Sequence, residues 1–426
     1  MADDSGLQAV RREVARMRQD YETRIQELES RLAQAETRSN TATTTADEAK
    51  KVAQQAAASK DGAPKDTAGA FNPSVAVVLN GTATAMKRDP GIYRVPGFAL
   101  GDAAKPVDRG FALGESEVTF AANVDHTLYG ALTLSLSREN TASVEEAFIQ
   151  SSSLPWGFTV KGGRFKSGIG YLNEHHAHTW DFADAPLPYL LMLNGQYGDD
   201  GLQVRWLAPT AMFVELGMEG FRGASFPADG TAAKGMGAAS AFLHLGDDIG
   251  QGGEGGSWRA GISHLLTRAE RRKSNSDADT FKGRDGLTIV DALYKWAPDG
   301  NFTERYVTLQ GEYFHRAETG TFNDLRDEST QQGYYAQAVW QFMPRWRIGA
   351  RHDRAWNSDV NAELVGTTLD SQGRTASRQS LMLDYSTSEF GRFRLQGNLD
   401  HSADKPDQQV ILQYTVSLGA HGAHAY

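Results

Sequence analysis

The stretch "FRLQGNLD", Phe393 to Asp400, sets Phe393, Leu395, Gly397 and Leu399 on one side of an extended chain and Arg394, Gln396, Asn398 and Asp400 on the other. A strand sends successive side chains to opposite faces, so this period of two predicts a sheet with one dry surface and one wet surface. A soluble sandwich and a transmembrane barrel both satisfy that pattern. The choice rests on how often it recurs and on how the strands are joined.

Beyond Phe71 we count sixteen candidate strands, at 74–87, 115–124, 127–137, 144–153, 157–167, 199–208, 211–223, 238–246, 256–268, 286–297, 303–316, 332–343, 346–356, 378–387, 392–401 and 408–418. Val118, Phe120 and Ala122 alternate cleanly with Glu117, Thr119 and Asn123, as do Trp346, Ile348 and Ala350 with Arg347, Arg351 and Asp353. The pattern is ambiguous at 144–153 and 286–297. Short turns (125–126, 154–156, 208–210, 344–345, 388–391) alternate with long connections (88–114, 168–198, 224–237, 269–285, 317–331, 357–377) for most of the chain. Short turns on one rim and long loops on the other are the habit of an outer-membrane β-barrel with an even strand count. Such a barrel leaves no exposed edge and satisfies every backbone donor and acceptor. Phe393, Leu395 and Leu399 then face lipid, and Arg394, Gln396, Asn398 and Asp400 face a watery lumen.

Composition agrees. The 40% hydrophobic content of the 426 residues is scattered, with no run long enough for a membrane-spanning helix. Cysteine is absent, which excludes disulfides, thiol catalysis and cysteine-based metal sites. A net charge of −10 and the lack of a basic stripe interleaved with aromatics exclude a nucleic-acid binder. The opening "MADDSGLQ" lacks a basic start followed by an apolar core, so we read the chain as a mature form with an added Met.

The first residues have another period. Leu7, Val10, Val14, Met17 and Tyr21, then Ile25, Leu28 and Leu32, recur at spacings of three and four with one extra step of four, a coiled-coil seam with a single stutter. The stretch "KDGAPKDTAGA" ends it with Gly and Pro. The predicted organisation is a coiled coil over 1–60, a linker over 61–73 and a barrel over 74–426.

The longest loop follows the fifth strand: "SGIGYLNEHHAHTWDFADAPLPYLLMLNGQYG". Strand count and loop order resemble the trimeric sixteen-stranded porins of Gram-negative outer membranes, whose third loop folds inward and narrows the channel. The coil before the barrel resembles the group that includes phosphate-selective porins with N-terminal trimeric coils. The stretch "GGRFKSGIGYLNEHHAHTWDF" looks like proteins labelled zinc-regulated outer-membrane receptors. Such receptors need twenty-two strands and a plug domain, for which the chain has no room. The ending on Tyr426 resembles the terminal aromatic of outer-membrane barrels, although "GAHGAHAY" is atypical.

These readings imply a homotrimer in outer-membrane lipid, with the N-terminal segment in the periplasm and small hydrophilic solutes diffusing through each barrel. The third loop supplies the expected constriction: Glu174, His175, His176, His178, Asp181 and Asp184. Tyr171, Trp180, Phe182 and Tyr189 are expected to anchor it. The pore lining is expected to include Lys161, Arg205, Arg259, Glu312, Arg347, Arg351, Asp353, Arg394 and Asp400. Asp125 and Asp384 are also assigned to the lumen, and neither sign of charge dominates. His175, His176 and His178 place three imidazoles within four residues, so transient zinc is the one candidate ligand; no resident cofactor is expected. No Gly-x-Ser-x-Gly elbow is present, and the adjacent Glu145 and Glu146 are expected to face opposite ways, so no catalytic role is assigned. Alternative functions are a tether from outer membrane to cell wall through the coil, or a zinc uptake channel.

Overall fold

The computed structural model describes residues 73–136, 141–229, 235–250, 255–358 and 360–419. The expected coiled coil, nearly all of its linker, and His421, His424 and Tyr426 lie outside the described residues.

The strands are β1 (Ser74–Met86), β2 (Gly110–Leu113), β3 (Ser116–Asn123), β4 (Leu128–Leu136), β5 (Ala142–Ser151), β6 (Phe158–Lys166), β7 (Gly198–Leu207), β8 (Phe213–Phe221) and β9 (Ala238–Asp248). They continue with β10 (Ser257–Ser274), β11 (Asp279–Trp296), β12 (Tyr306–Phe322), β13 (Leu325–Asp327), β14 (Thr330–Met343), β15 (Trp346–Asn357), β16 (Ala376–Ser388), β17 (Gly391–Asp400) and β18 (Asp407–Gly419). All belong to one antiparallel sheet. One edge of β1 pairs with β18, from Ala76 opposite Gly419 to Met86 opposite Gln409. Its other edge pairs with β3 and, higher up, with the short β2. The sheet is therefore closed. With β2 and β13 set aside as short additions at the long-loop rim, sixteen strands form the barrel.

Alternation holds as the sequence predicts. Phe393, Leu395 and Leu399 are 41%, 50% and 49% exposed, whereas Arg394, Gln396, Asn398 and Asp400 are at most 2% exposed. The inward residues, however, do not face open water. The connection over 87–109 (loop one) and the one over 167–197 (loop three) pack an apolar cluster inside the barrel. Loop one gives Tyr93, Val95, Phe98 and Leu100; loop three gives Ile169, Leu172, Trp180 and the helix α1 (Leu187–Leu193). Leu265, Leu287, Ile289, Phe314 and Tyr335 meet them from the wall. This explains the ambiguity at 286–297. Leu287 and Ile289 point inward, so β11 is apolar on both faces where it touches the packed loops.

Two expected long loops are absent. Residues 269–285 and 317–331 instead form tall hairpins: β10 and β11 have 18 residues each and β12 has 17. Sequences such as "RAERRKSNSDADTFKGRD" are polar on both faces, so they lack the alternation by which a strand is recognised. Inside these hairpins Arg272 and Arg316 pair with Glu318 and Asp285, all nearly fully buried. Asp125 is likewise a turn residue, not a lumen residue: its Oδ1 accepts from Thr127 N at 2.6 Å and Leu128 N at 2.9 Å.

Between β4 and β5 the register shifts by one, with Thr133 opposite Glu146 but Leu134 opposite Val144. Glu145 is the extra residue of a β-bulge. The outward set therefore changes parity from Val144 to Ala147 and Ile149, which is the physical source of the ambiguity at 144–153. Just beyond, β5 leaves β6, whose pairing is limited to Ala147–Gln150. Gly163 makes that departure possible with φ of 131°, a backbone region that L side chains rarely adopt.

A Cβ on Gly163 would run into the Ala147 carbonyl oxygen and lie 2.8 Å from Phe148 Cα. Gly163→Ala is expected to destabilise the barrel by about 1–3 kcal/mol. Urea unfolding midpoints in lipid vesicles check this, with Gly162→Ala, which meets only Leu202 at 3.7 Å, remaining near wild type.

Candidate functional site

Loop three folds into the barrel because its polar backbone finds wall partners there. Its base is closed by Asn173, whose Nδ2 donates to Ser167 O at 2.7 Å and Tyr197 O at 2.8 Å while its Oδ1 accepts from Tyr197 N at 2.7 Å. Gly168 N then donates to Glu219 Oε1 at 2.9 Å, and Gly170 N to Ser263 Oγ at 2.9 Å. Glu312 on β12 is the next anchor. It accepts from Tyr171 N at 3.2 Å, Leu172 N at 2.9 Å, Tyr189 Oη at 2.9 Å and Tyr335 Oη at 2.7 Å. Buried backbone donors need such acceptors, so the carboxylate fixes the loop's path.

Farther along, the loop supplies the charges the wall lacks. Asp184 accepts from Arg351 at 2.8 Å, Gln396 at 2.7 Å and Asn398 at 2.9 Å, and pairs with Arg378 at 3.1 Å. Asp353 completes the group, 2.9 Å from both Arg351 and Arg378. Asp181 pairs with Arg347 at 2.9 Å, and Arg347 also meets Asp384, which binds Arg394 at 2.8 Å. Glu174 pairs with Arg205, which lies 3.5 Å from Glu215. Burial works against the charge of Asp184, but Arg378, Arg351 and the Gln396 amide outweigh it and hold its carboxyl at about 2.

Of the four expected anchors, Tyr171, Phe182 and Tyr189 reach wall residues, whereas the Trp180 indole bonds within the loop itself. The Tyr171 ring lies 5.0 Å from the Arg259 guanidinium, and the Phe182 ring 4.6 Å from that of Arg351. Trp180 Nε1 donates to His175 O at 2.9 Å. Asp400 is not part of this belt and accepts from Ser402 N at 2.8 Å.

The three imidazoles do not act together. The His175 ring turns back to the Tyr171 carbonyl, 2.8 Å from Nδ1, and burial pushes its pKa down to about 4. His176 and His178 point the other way, toward β3 and β5. His176 Nδ1 lies 3.0 Å from Glu117 Oε2 and 3.5 Å from Glu145 Oε1, and Nε2 lies 3.0 Å from Glu146 Oε2. His178 Nδ1 lies 3.0 Å from Glu117 Oε1. Burial and the charge of Lys166 oppose protonation of His176, but Glu117, Glu145 and Glu146 raise its pKa well above the usual value. Glu145 and Glu146 thus serve one cluster, contrary to the expectation that they face opposite ways; the bulge turns Glu145 to join its neighbour. Glu146 also accepts from Lys166 N at 3.1 Å, on the edge where β6 has parted from β5. Glu117, Glu145, Glu146 and Lys166 were absent from the expected site. The parity change at Val144 was the signal that could have found two of them.

Toward the short-turn rim the charges differ. Among the described residues, Lys161, Lys295 and Arg392 have no carboxylate within ion-pair distance. Lys161 Nζ sits 4.7 Å from the Phe148 ring, and Arg392 donates to His178 O at 2.7 Å. Arg259 lies 3.6 Å from Asp291. Lys161, Lys295, Arg259 and Arg392 stay partly exposed, whereas Asp291, Asp353 and Asp384 are at most 1% exposed.

The chain belongs to the same family as an uncharacterized protein of Aquifex aeolicus (strain VF5), to which it is 31% identical over 345 residues, 75% of this chain and 70% of that one. No family model matches it. Among solved structures it is similar to OmpTdeltaL8, the loop L8 deletion mutant of OmpT, an outer membrane protein of Vibrio cholerae, with TM-score 0.53 at 10% identity over 82% of this chain and 99% of that one. It is also similar to the outer membrane channel DcaP of Acinetobacter baumannii, with TM-score 0.52 at 12% identity over 82% and 97%. The trimer form of OmpT matches with TM-score 0.52 at 10% identity over 82% and 99%. These likenesses are of fold.

Asp184→Ala leaves Arg351 and Arg378 sharing one buried carboxylate, a loss expected to cost about 3–5 kcal/mol. Limited proteolysis should then cut within 167–197 in the variant and not in the wild type. Because the folded carboxyl of Asp184 is near 2 and an unfolded one near ~3.9, its contribution is complete above about pH 4 and is lost as the pH falls through about 2. Protection of the loop against pepsin, followed from pH 4 to pH 2, checks the sign.

Proposed function

We propose that this protein is an outer-membrane porin through which small hydrophilic solutes and ions diffuse, with loop three narrowing the passage. The observation that carries this reading is a closed sixteen-stranded barrel, apolar outside, in which loop three turns inward onto wall charges. Only closed sheets and helices satisfy every backbone group in hydrocarbon, and the outward belt includes Leu216, Ile262, Leu309, Ile348, Leu395 and Leu412. In this reading Glu174, His175, His176, His178, Asp181 and Asp184 border the constriction. Lys161, Arg205, Arg259, Arg347 and Arg394 line the wall on its short-turn side. The barrels assemble as homotrimers, and the first sixty or so residues form a periplasmic coil that reaches toward the cell wall.

The accessible lumen charge on that side is net positive: Asp291, Asp353 and Asp384 are buried, the partly exposed Glu215 and Asp181 lie beside Arg205 and Arg347, and among the described residues Lys161, Lys295 and Arg392 have no carboxylate within ion-pair distance. Wall charge sets ion preference, so the channel favours anions. The packed apolar contacts between loops one and three favour a second reading, in which the barrel anchors the coil and does not conduct.

Planar-bilayer recording separates the two. A porin trimer gives conductance steps in groups of three, and reversal potentials in a KCl gradient lie on the chloride side. The double variant Lys161→Glu/Lys295→Glu is expected to move the reversal potential toward the potassium value. Absence of steps from a correctly folded barrel would establish the anchoring reading.

A further inference from the structure

The cluster where loop three meets β3 and β5 has a property the channel reading does not use. Glu117, His176 and His178 bring one ligand atom each to within 4.8 Å of one another, and Glu115, Glu117 and Glu145 do the same. The two oxygens of Glu117 each face one imidazole nitrogen at 3.0 Å. In a tetrahedral zinc site with bonds of ~2.0–2.2 Å, adjacent ligand atoms stand roughly 3.3–3.6 Å apart. The two Glu117–imidazole spacings are therefore within a few tenths of an ångström of those an ion requires. Glu145 Oε1, 3.5 Å from His176 Nδ1, is already at that spacing.

Charge points the same way. Four carboxylates, Glu115, Glu117, Glu145 and Glu146, converge on one ammonium, Lys166, which pairs with Glu145 at 2.6 Å. The carboxylates outnumber the cationic groups among them, and a dication would offset that surplus of negative charge. Glu145 Oε2 and His176 Nδ1 are buried without an aligned hydrogen-bond partner. The backbone is held for this purpose as well: His176 O accepts from Thr179 N at 2.9 Å and Thr179 Oγ1 at 2.8 Å, and His178 O from Arg392. A bulge re-aims Glu145 into the group, a common use of bulges beside functional sites.

We propose that Glu117, His176 and His178, with Glu145 in reach as a fourth ligand, bind a divalent transition metal of the zinc class, fastening loop three to the wall. Two imidazoles with carboxylates suit zinc and its neighbours, whereas calcium and magnesium demand all-oxygen shells. The site excludes His175 and depends on Glu117, a wall residue fifty-nine positions before His176 in the sequence. It does not require that the barrel conduct.

The test uses the full-length protein in detergent, stripped with EDTA and titrated calorimetrically with zinc chloride. One zinc per chain should bind with micromolar affinity or better, and calcium should not bind. Glu117→Gln and His178→Asn should each weaken zinc at least about tenfold, while His175→Ala leaves it unchanged. Heat-modifiable gel migration verifies that each variant retains the barrel; if one fails to fold, the other decides. Lack of saturable zinc binding below roughly 100 μM, or equal weakening by His175→Ala and Glu117→Gln, would overturn the assignment. Since no conductance is read, this outcome is independent of the channel reading.

Discussion

The pairing of β1 with β18 on one edge and β3 on the other is the contact on which the rest of the molecule depends. An open sheet of this length would expose two rows of unpaired backbone groups, and among the described residues there is no second sheet with which to cover them. Closure removes both edges together. It also separates two environments, so that every strand must present apolar groups to the outside and something else to a confined interior.

What fills that interior follows from the same constraint. Inward-pointing Arg351, Arg378 and Arg394 cannot remain unpaired once loops enclose them, because a buried charge without a partner costs several kcal/mol. Asp353 and Asp384 supply part of the compensation from the wall, and Asp184 the rest from loop three. The exchange is reciprocal. Over 167–186 the loop has only two short 3-10 turns, so its backbone donors rely on Glu219, Glu312 and Gln396 of the wall. Loop and barrel complete one another, and the apolar helix α1 adds hydrophobic burial against loop one. An inward-folded loop thereby gains a single position.

The acid–histidine cluster shows how a local irregularity can concentrate chemistry. A regular β5 would send Glu145 outward and Glu146 inward. The inserted residue brings both carboxylates to His176 and frees β6 from its neighbour, and Glu146 then accepts from Lys166 N on the edge where β6 has parted from β5. Gly163 permits the separation by adopting a conformation closed to other residues. Three separate features of the wall converge there on one face of the loop.

Much of the fold was legible in the sequence, because alternation along a strand is a local property. Phe393 to Asp400 already stated which side faces out, and the short and long connections stated how the strands are joined. The sequence alone therefore determined sixteen strands and their direction, and the resemblance to porins pointed to the loop that turns inward. It could not show that β10 to β12 rise beyond the apolar belt, since strands with polar groups on both faces look like loops. Nor could it say which charges would be shared. Glu117 and His176 are joined only when the barrel closes and loop three folds back, as are Asp184 and Arg378. Those pairings were decided by tertiary structure, because partners so distant along the chain meet through the geometry of the enclosed volume and not through any spacing that a linear pattern records.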